Sequence, residues 1–146
     1  MDFVIKPNDG IGPIKLGMLR KQVKELLSKY FVSSEGSIDY YFENSLQIEF
    51  ENELANFIGI SQSNFYNVIY ENIDVFKTDG SELFRLIASN ETGSHTLNAS
   101  EYMFPEQIVT LWDLDSQYDH IGNYKKAVWA QIGIGTNSYL QFVNGL

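Results

Sequence analysis

Leu46, Ile48 and Phe50 alternate with Gln47, Glu49 and Glu51. A period of two puts the apolar side chains on one sheet face and the polar ones on the other. Residues 46–51 are therefore predicted to form a strand with one wet face. Aromatic-rich residues 38–43 predict the strand before it, with Asn44-Ser45 as a two-residue turn between them. Residues 55–61 read as a third strand, and residues 65–70 follow, leading to Val75-Phe76. Upstream, residues 3–6 are extended. Pro7, Asn8-Asp9-Gly10 and Gly12-Pro13 are dense turn signals, and residues 14–16 are short and alternating.

After Gly17-Met18 the period changes to that of a helix. Leu19, Val23, Leu26, Leu27 and Tyr30 make one apolar stripe, and Arg20, Lys21, Lys24 and Lys29 fill the opposite face. A second helix is predicted after Thr78-Asp79. Asp79 can cap it, Glu82 three residues on completes a capping box, and Leu83, Leu86 and Ile87 form the buried stripe. Asn90 and Gly93 end it. Residues 102–104, 108–112 and 128–134 are the next strands, and residues 138–143 a last one. The polar segment 113–126 is expected to be a long hairpin loop.

Both halves run in the same order: a glycine-bearing turn, a helix, then three strands. Leu26 and Leu27 stand 60 positions before Leu86 and Ile87, and Val23 stands 60 before Leu83. Phe42, Leu46, Phe50 and Glu51 stand 62 before Phe104, Ile108, Trp112 and Asp113. Ile58-Gly59-Ile60 stands 74 before Ile132-Gly133-Ile134. The expected fold is α+β in one domain, residues 1–146, with pseudo-repeats of about 1–72 and 73–146. An antiparallel sheet would carry two helices on one face and leave the other partly wet.

Gly17-Met18, the helix with Val23 and Leu26-Leu27, and the three-stranded meander together resemble a module of β-lactamase inhibitor proteins and of small bacterial outer-membrane assembly lipoproteins. In the inhibitor proteins two such modules stand in tandem and a concave sheet grips an enzyme, so the resemblance implies a sheet that binds protein. In its acidic character the chain is also similar to immunity proteins of bacterial toxin systems.

Charge sharpens this picture. Between Lys29 and Lys77 there are eight carboxylates and no base, and residues 86–124 hold six more acids and no base. The first thirty residues carry +3, so the net charge of −9 is a basic head on an acidic body of −12. A field of one sign selects partners of the other, and an acidic body argues against nucleic acid or an anionic membrane as partner. The absence of cysteine excludes disulfides, thiolate catalysis and Cys-ligated zinc. The N-terminus has no basic run followed by an apolar one, so a cytoplasmic location is expected. Aromatic content is high at 14%, which favours sheet.

Candidate chemistry is sparse. The glycine-rich segment 10–17 matches neither dinucleotide nor P-loop spacing, and Pro13 removes one N–H, so it reads as a turn. His120 lies beside Asp119 and near Asp115, a sketch of a metal or acid–base cluster, while His95 stands alone. Both histidines are simpler to read as surface residues. Trp112 and Trp129 fall at strand positions and are expected to face the core. Glu49, Glu51 and Glu53 read as a solvated face available for docking rather than as catalytic carboxylates. Tyr40, Tyr41, Tyr66 and Tyr70 are interleaved with the acids, and tyrosine with carboxylate suits an Arg- and Lys-rich partner.

The leading expectation is a non-catalytic binding protein, without metal or cofactor, that neutralises a basic protein such as a nuclease-type toxin. Its contact residues would be Asp39, Tyr41, Glu43, Glu49, Glu51, Glu53, Tyr66 and Tyr70. The alternatives are a small enzyme or ligand-binding domain with an unrecognised pocket, which a deep site holding His120 with Asp115 or Asp119 would mark, and a structural subunit whose acidity serves solubility.

Overall fold

The computed structural model describes residues 1–94, 96–98, 101–112, 118–119 and 126–144. Strand β1 (Asp2–Lys6), β2 (Gly10–Ile11) and β3 (Ile14–Lys15) precede helix α1 (Arg20–Leu26). A 3-10 turn, Ser28–Tyr30, then leads into β4 (Phe31–Glu35), β5 (Ile38–Tyr41), β6 (Leu46–Glu51) and β7 (Leu54–Ile60). Next come β8 (Asn67–Tyr70), β9 (Ile73–Asp74), a 3-10 turn at Val75–Lys77, and helix α2 (Gly80–Ser89). The chain continues through β10 (Thr96–Asn98), β11 (Glu101–Phe104), β12 (Val109–Trp112), β13 (Tyr118–Asp119), β14 (Lys126–Ala127) and β15 (Gln131–Gly135). It closes on helix α3 (Asn137–Val143). The fold is α+β.

Eight strands form an antiparallel sheet in the order β10-β11-β12-β15-β7-β6-β5-β4. Its centre is the β7–β15 pair, where Ile58, Gly59 and Ile60 face Ile134, Gly133 and Ile132. A smaller sheet, β3-β2-β1-β8-β9, contains one parallel pair, β1 with β8. The antiparallel β13–β14 pair falls within the segment expected as a loop except for Ala127, just past its end. The rest of that segment lies outside the described residues.

One sheet face supplies the main core. Leu46, Ile48, Phe50, Ile58, Ile60, Val109, Leu111, Ile132 and Ile134 are all buried, as the period-two pattern predicts. They share one buried cluster with Val23 and Leu27 and with Leu83 and Ile87. Phe3, Ile5, Val68 and Tyr70 from the smaller sheet belong to it too. Each wholly buried side chain of this size contributes about 1.5–3 kcal/mol relative to exposure.

Asp79 is the N-cap of α2 as expected, but its carboxylate accepts the Ser81 N–H at 3.0 Å rather than forming the expected box with Glu82, and Asn90 follows the last turn. The first helix is narrower than its pattern. Only Val23 is buried within it, while Leu19 and Leu26 are exposed, because the helix ends at Leu26 and a 3-10 turn redirects the chain. The turn between β5 and β6 is not Asn44-Ser45 alone. Residues 42–45 form it, with Phe42, Glu43 and Asn44 all at positive φ. A left-handed Phe is costly, and Phe42 is held there by rings around it: Tyr30 stacks at 4.3 Å, and Phe3 and Tyr66 pack edge-on.

Residues 138–143 are helical, not a strand. Thr136 caps α3 by accepting the Tyr139 N–H at 3.3 Å. Tyr139, Leu140 and Val143 then form a short helical stripe. It packs on Phe57, Met103 and Ile108, a second cluster separate from the main core.

Candidate functional site

Cross-strand partners share a sheet face. Following the registers from the β4 edge, Ser33 pairs with Tyr40, Glu35 with Ile38, Tyr40 with Gln47 and Ile38 with Glu49. Gln47 then pairs with Gly59 and Glu49 with Phe57. Gly59 pairs with Gly133, Gly133 with Thr110, and Gln131 with Trp112. These residues make the second face, opposite the main core, and none of them is Lys or Arg.

Its middle is floored by glycine. A Cβ on Gly133 would fall 2.4 Å from the Phe57 ring, and one on Gly59 would fall 2.6 Å from the Gln131 amide. Both are inside contact distance, so only glycine lets these two side chains lie flat on the sheet. Phe57 is stacked from the other side by Tyr139 at 4.3 Å and 23°. Gln47, Glu49, Phe57, Trp112, Gln131 and Tyr139 thereby enclose a shallow depression of about 370 Å³. The Gln47 amide donates to Glu49 at 3.4 Å. At the α3 end, the Ser138 hydroxyl donates to Glu51 at 2.7 Å, which ties the helix to the rim.

Trp112 is thus not a core residue. It is 36% exposed, because it is out of phase with buried Val109 and Leu111. Trp129 is buried, and its indole N–H donates to the Gly80 carbonyl at 3.1 Å.

The eight expected contact residues divide. Glu43, Glu51 and Glu53 are exposed, and Glu49 is half-buried on the second face. Asp39, Tyr41, Tyr66 and Tyr70 are buried and present no surface to a partner. Asp39 shares strand phase with Tyr41, which puts it on the core face. There its carboxylate accepts Arg20 Nε at 3.1 Å, Arg20 Nη2 at 2.6 Å and the Ser34 hydroxyl at 2.6 Å. Burial pushes the Asp39 carboxyl up, but the Arg20 hydrogen bonds, the Ser34 hydroxyl and the Arg20 and Lys24 charges outweigh it. The group sits below its ordinary value. Arg20 is correspondingly withdrawn from the basic outer face expected of α1. It also donates to the Gly36 carbonyl at 2.9 Å and lies over the Phe50 ring.

The three tyrosines are structural as well. Tyr66 stacks on Phe3 at 4.8 Å and donates to the Ser61 carbonyl, and burial pushes its phenol up to about 12. Tyr41 is also pushed up to about 12, chiefly by burial. Tyr70 donates to Gln107 Oε1 and accepts from Asn90. Gln107 in turn donates to the Ile87 carbonyl, and the Glu91 carboxylate gathers the Gly93, Glu106 and Gln107 backbone N–H groups. Burial raises Glu91, and those N–H groups bring it below its ordinary value.

His95, His120 and Asp115 lie outside the described residues, as does the side chain of Asp119. Among the described residues no group of three His, Asp or Glu side chains converges to hold a metal ion. No helix among them is long and apolar enough to cross a membrane. Comparison with protein-family models, curated proteins and solved structures finds no match.

Proposed function

We propose that this chain is a non-catalytic binding protein whose second sheet face docks a basic protein, as an immunity protein blocks a nuclease-type toxin in the cytoplasm. The observation that carries this reading is the face itself. It combines Trp112, Tyr40 and Ile38 with Glu35 and Glu49, has acids at its rim, and has no Lys or Arg at its paired positions. Half-exposed aromatics are the usual anchors of protein interfaces. A nuclease cleft is basic because it holds phosphates, and carboxylates at the rim would stand in for them with steered association.

The tandem-module reading of the fold supports the same conclusion. We take residues 1–72 and 73–146 as two related units, joined at the β7–β15 pair. In favour of it, Gly59 stands opposite Gly133 inside two Ile-Gly-Ile segments, and β4-β5-β6-β7 is mirrored by β10-β11-β12-β15. α1 and α2 would then back one face of the sheet, their Val23, Leu83 and Ile87 sharing its core, and leave the other to a partner.

The test is association of the full chain with a basic nuclease-type toxin domain, the class of partner that this reading requires. The on-rate should fall steeply between low salt and about 1 M, where the Debye length is only about 3 Å. Stable partners that are all neutral or acidic, or an on-rate indifferent to salt, would refute the proposal.

A further inference from the structure

The depression on the second face has a chemistry more specific than its acidity. Its aromatic residues are Trp112, which is exposed, and Phe57 and Tyr139, which are buried against each other, and its polar groups are Glu49, Gln47 and Gln131. We propose that it receives one arginine side chain of the basic partner, an inference that rests on the docking reading above.

Three features select this occupant. A guanidinium is planar, stacks on aromatic faces and offers five N–H donors in fixed directions. The depression supplies the exposed ring of Trp112 together with one carboxylate and two side-chain amides. A carboxylate can accept several donors at once. An apolar occupant would desolvate Glu49 and both glutamines without replacing their hydrogen bonds with water. An anion would meet a carboxylate and no base at the paired positions of this face. A lysine ammonium matches the charge but has neither the plane nor the fork.

The floor is built for such a guest. Because Gly59 and Gly133 carry no Cβ, Gln131 and Phe57 lie against the backbone, and Tyr139 covers the outer face of Phe57. The volume, about 370 Å³, is roughly twelve waters' share of liquid. That is ample for the end of an arginine side chain. Tyr139 and the Ser138–Glu51 bond bring α3 in as the end wall.

The experiment uses the full chain with three short blocked peptides that differ at one position: arginine, lysine, or citrulline, which keeps arginine's shape without its charge. Amide resonances of Gln47, Phe57, Gln131 and Tyr139 should shift saturably with the arginine peptide, and Trp112 fluorescence should change with them. The citrulline peptide should do neither. Glu49→Gln and Trp112→Phe should each weaken the arginine peptide about tenfold, with native thermal melting as the check on folding. Equal response to lysine or citrulline, or shifts confined to other residues, would overturn the proposal. The same two variants are then measured against the basic nuclease-type domain. If wild type binds it with the expected salt dependence and neither variant loses affinity, the arginine site is refuted while the docking face stands. If the peptide response is intact but no variant and no wild type binds that domain, the arginine site stands and the docking reading fails.

Discussion

Replacing Asp39 with asparagine removes one charge and almost no volume. The side chain is wholly buried, and its Arg20 partner is 20% exposed. Breaking a buried ion pair costs about 3–5 kcal/mol, since the remaining charge is left uncompensated. Here Arg20 retains the Gly36 carbonyl at 2.9 Å and has Glu53 at 3.8 Å, and its partial exposure admits solvent. The lower end applies, so Asp39→Asn should cost about 3 kcal/mol. For a chain of this length that lowers Tm by roughly 6–12 °C. The sign with pH follows from the carboxyl being held below its ordinary value. The pair's contribution is complete above the unfolded-chain value of about 3.9 and is lost as pH falls through the lower folded value. Urea denaturation of wild type and variant from neutral pH downward should therefore show a gap that closes in strong acid. Arg20→Met combined with Asp39→Asn should cost little more than the worse single change, a coupling of about 2 kcal/mol. A single-variant loss below about 1 kcal/mol, or additive effects, would refute the account of a bidentate buried pair.

Three further outcomes are expected. Tyr70→Phe leaves the buried Gln107 carbonyl without its hydroxyl donor and should cost about 1–3 kcal/mol by chemical denaturation. Gly133→Ala drives a Cβ into the Phe57 ring, itself pinned by Tyr139, and should cost about 1–3 kcal/mol while changing Trp112 fluorescence. In a spectrophotometric titration of the nine tyrosines, Tyr41 and Tyr66 should ionise only near pH 12, and Tyr66→Phe should remove one late phase. Ionisation of every phenol in one phase near the ordinary value would contradict their burial.

Local pattern was a sound guide for the central strands and the second helix, less so for the first. The alternation of Leu46, Ile48 and Phe50 placed all three correctly, and Asp79 marked the start of α2. Parity alone also held information that reading residues by type passed over. Trp112 is one step out of phase with Leu111, and Asp39 is in phase with Tyr41, so their faces follow from the same rule. The residues of the depression that sequence reasoning missed are Gln47, Phe57, Trp112, Gln131 and Tyr139. Trp112 and Gln131 were legible as an out-of-phase pair at best. Tyr139 was hidden because residues 138–143 are apolar enough for either a strand or one short helix, and only the Thr136 cap distinguishes them.

The sequence by itself determined the α+β class, most strands, the second helix and its cap, and an acidic body without a recognisable catalytic motif. It did so because these depend on short-range periodicity and composition. Tertiary structure decided which acids and tyrosines reach solvent. Asp39, placed on the core face by its strand phase, is compensated there because Arg20, nineteen positions away, turns back to meet it. The make-up of the second sheet face was likewise decided by long-range register: Gly59 beside Gly133, and Gln131 beside Trp112, come from different strands. No local pattern specifies such pairings, because each is set by where the strands meet once the main core has closed beneath them.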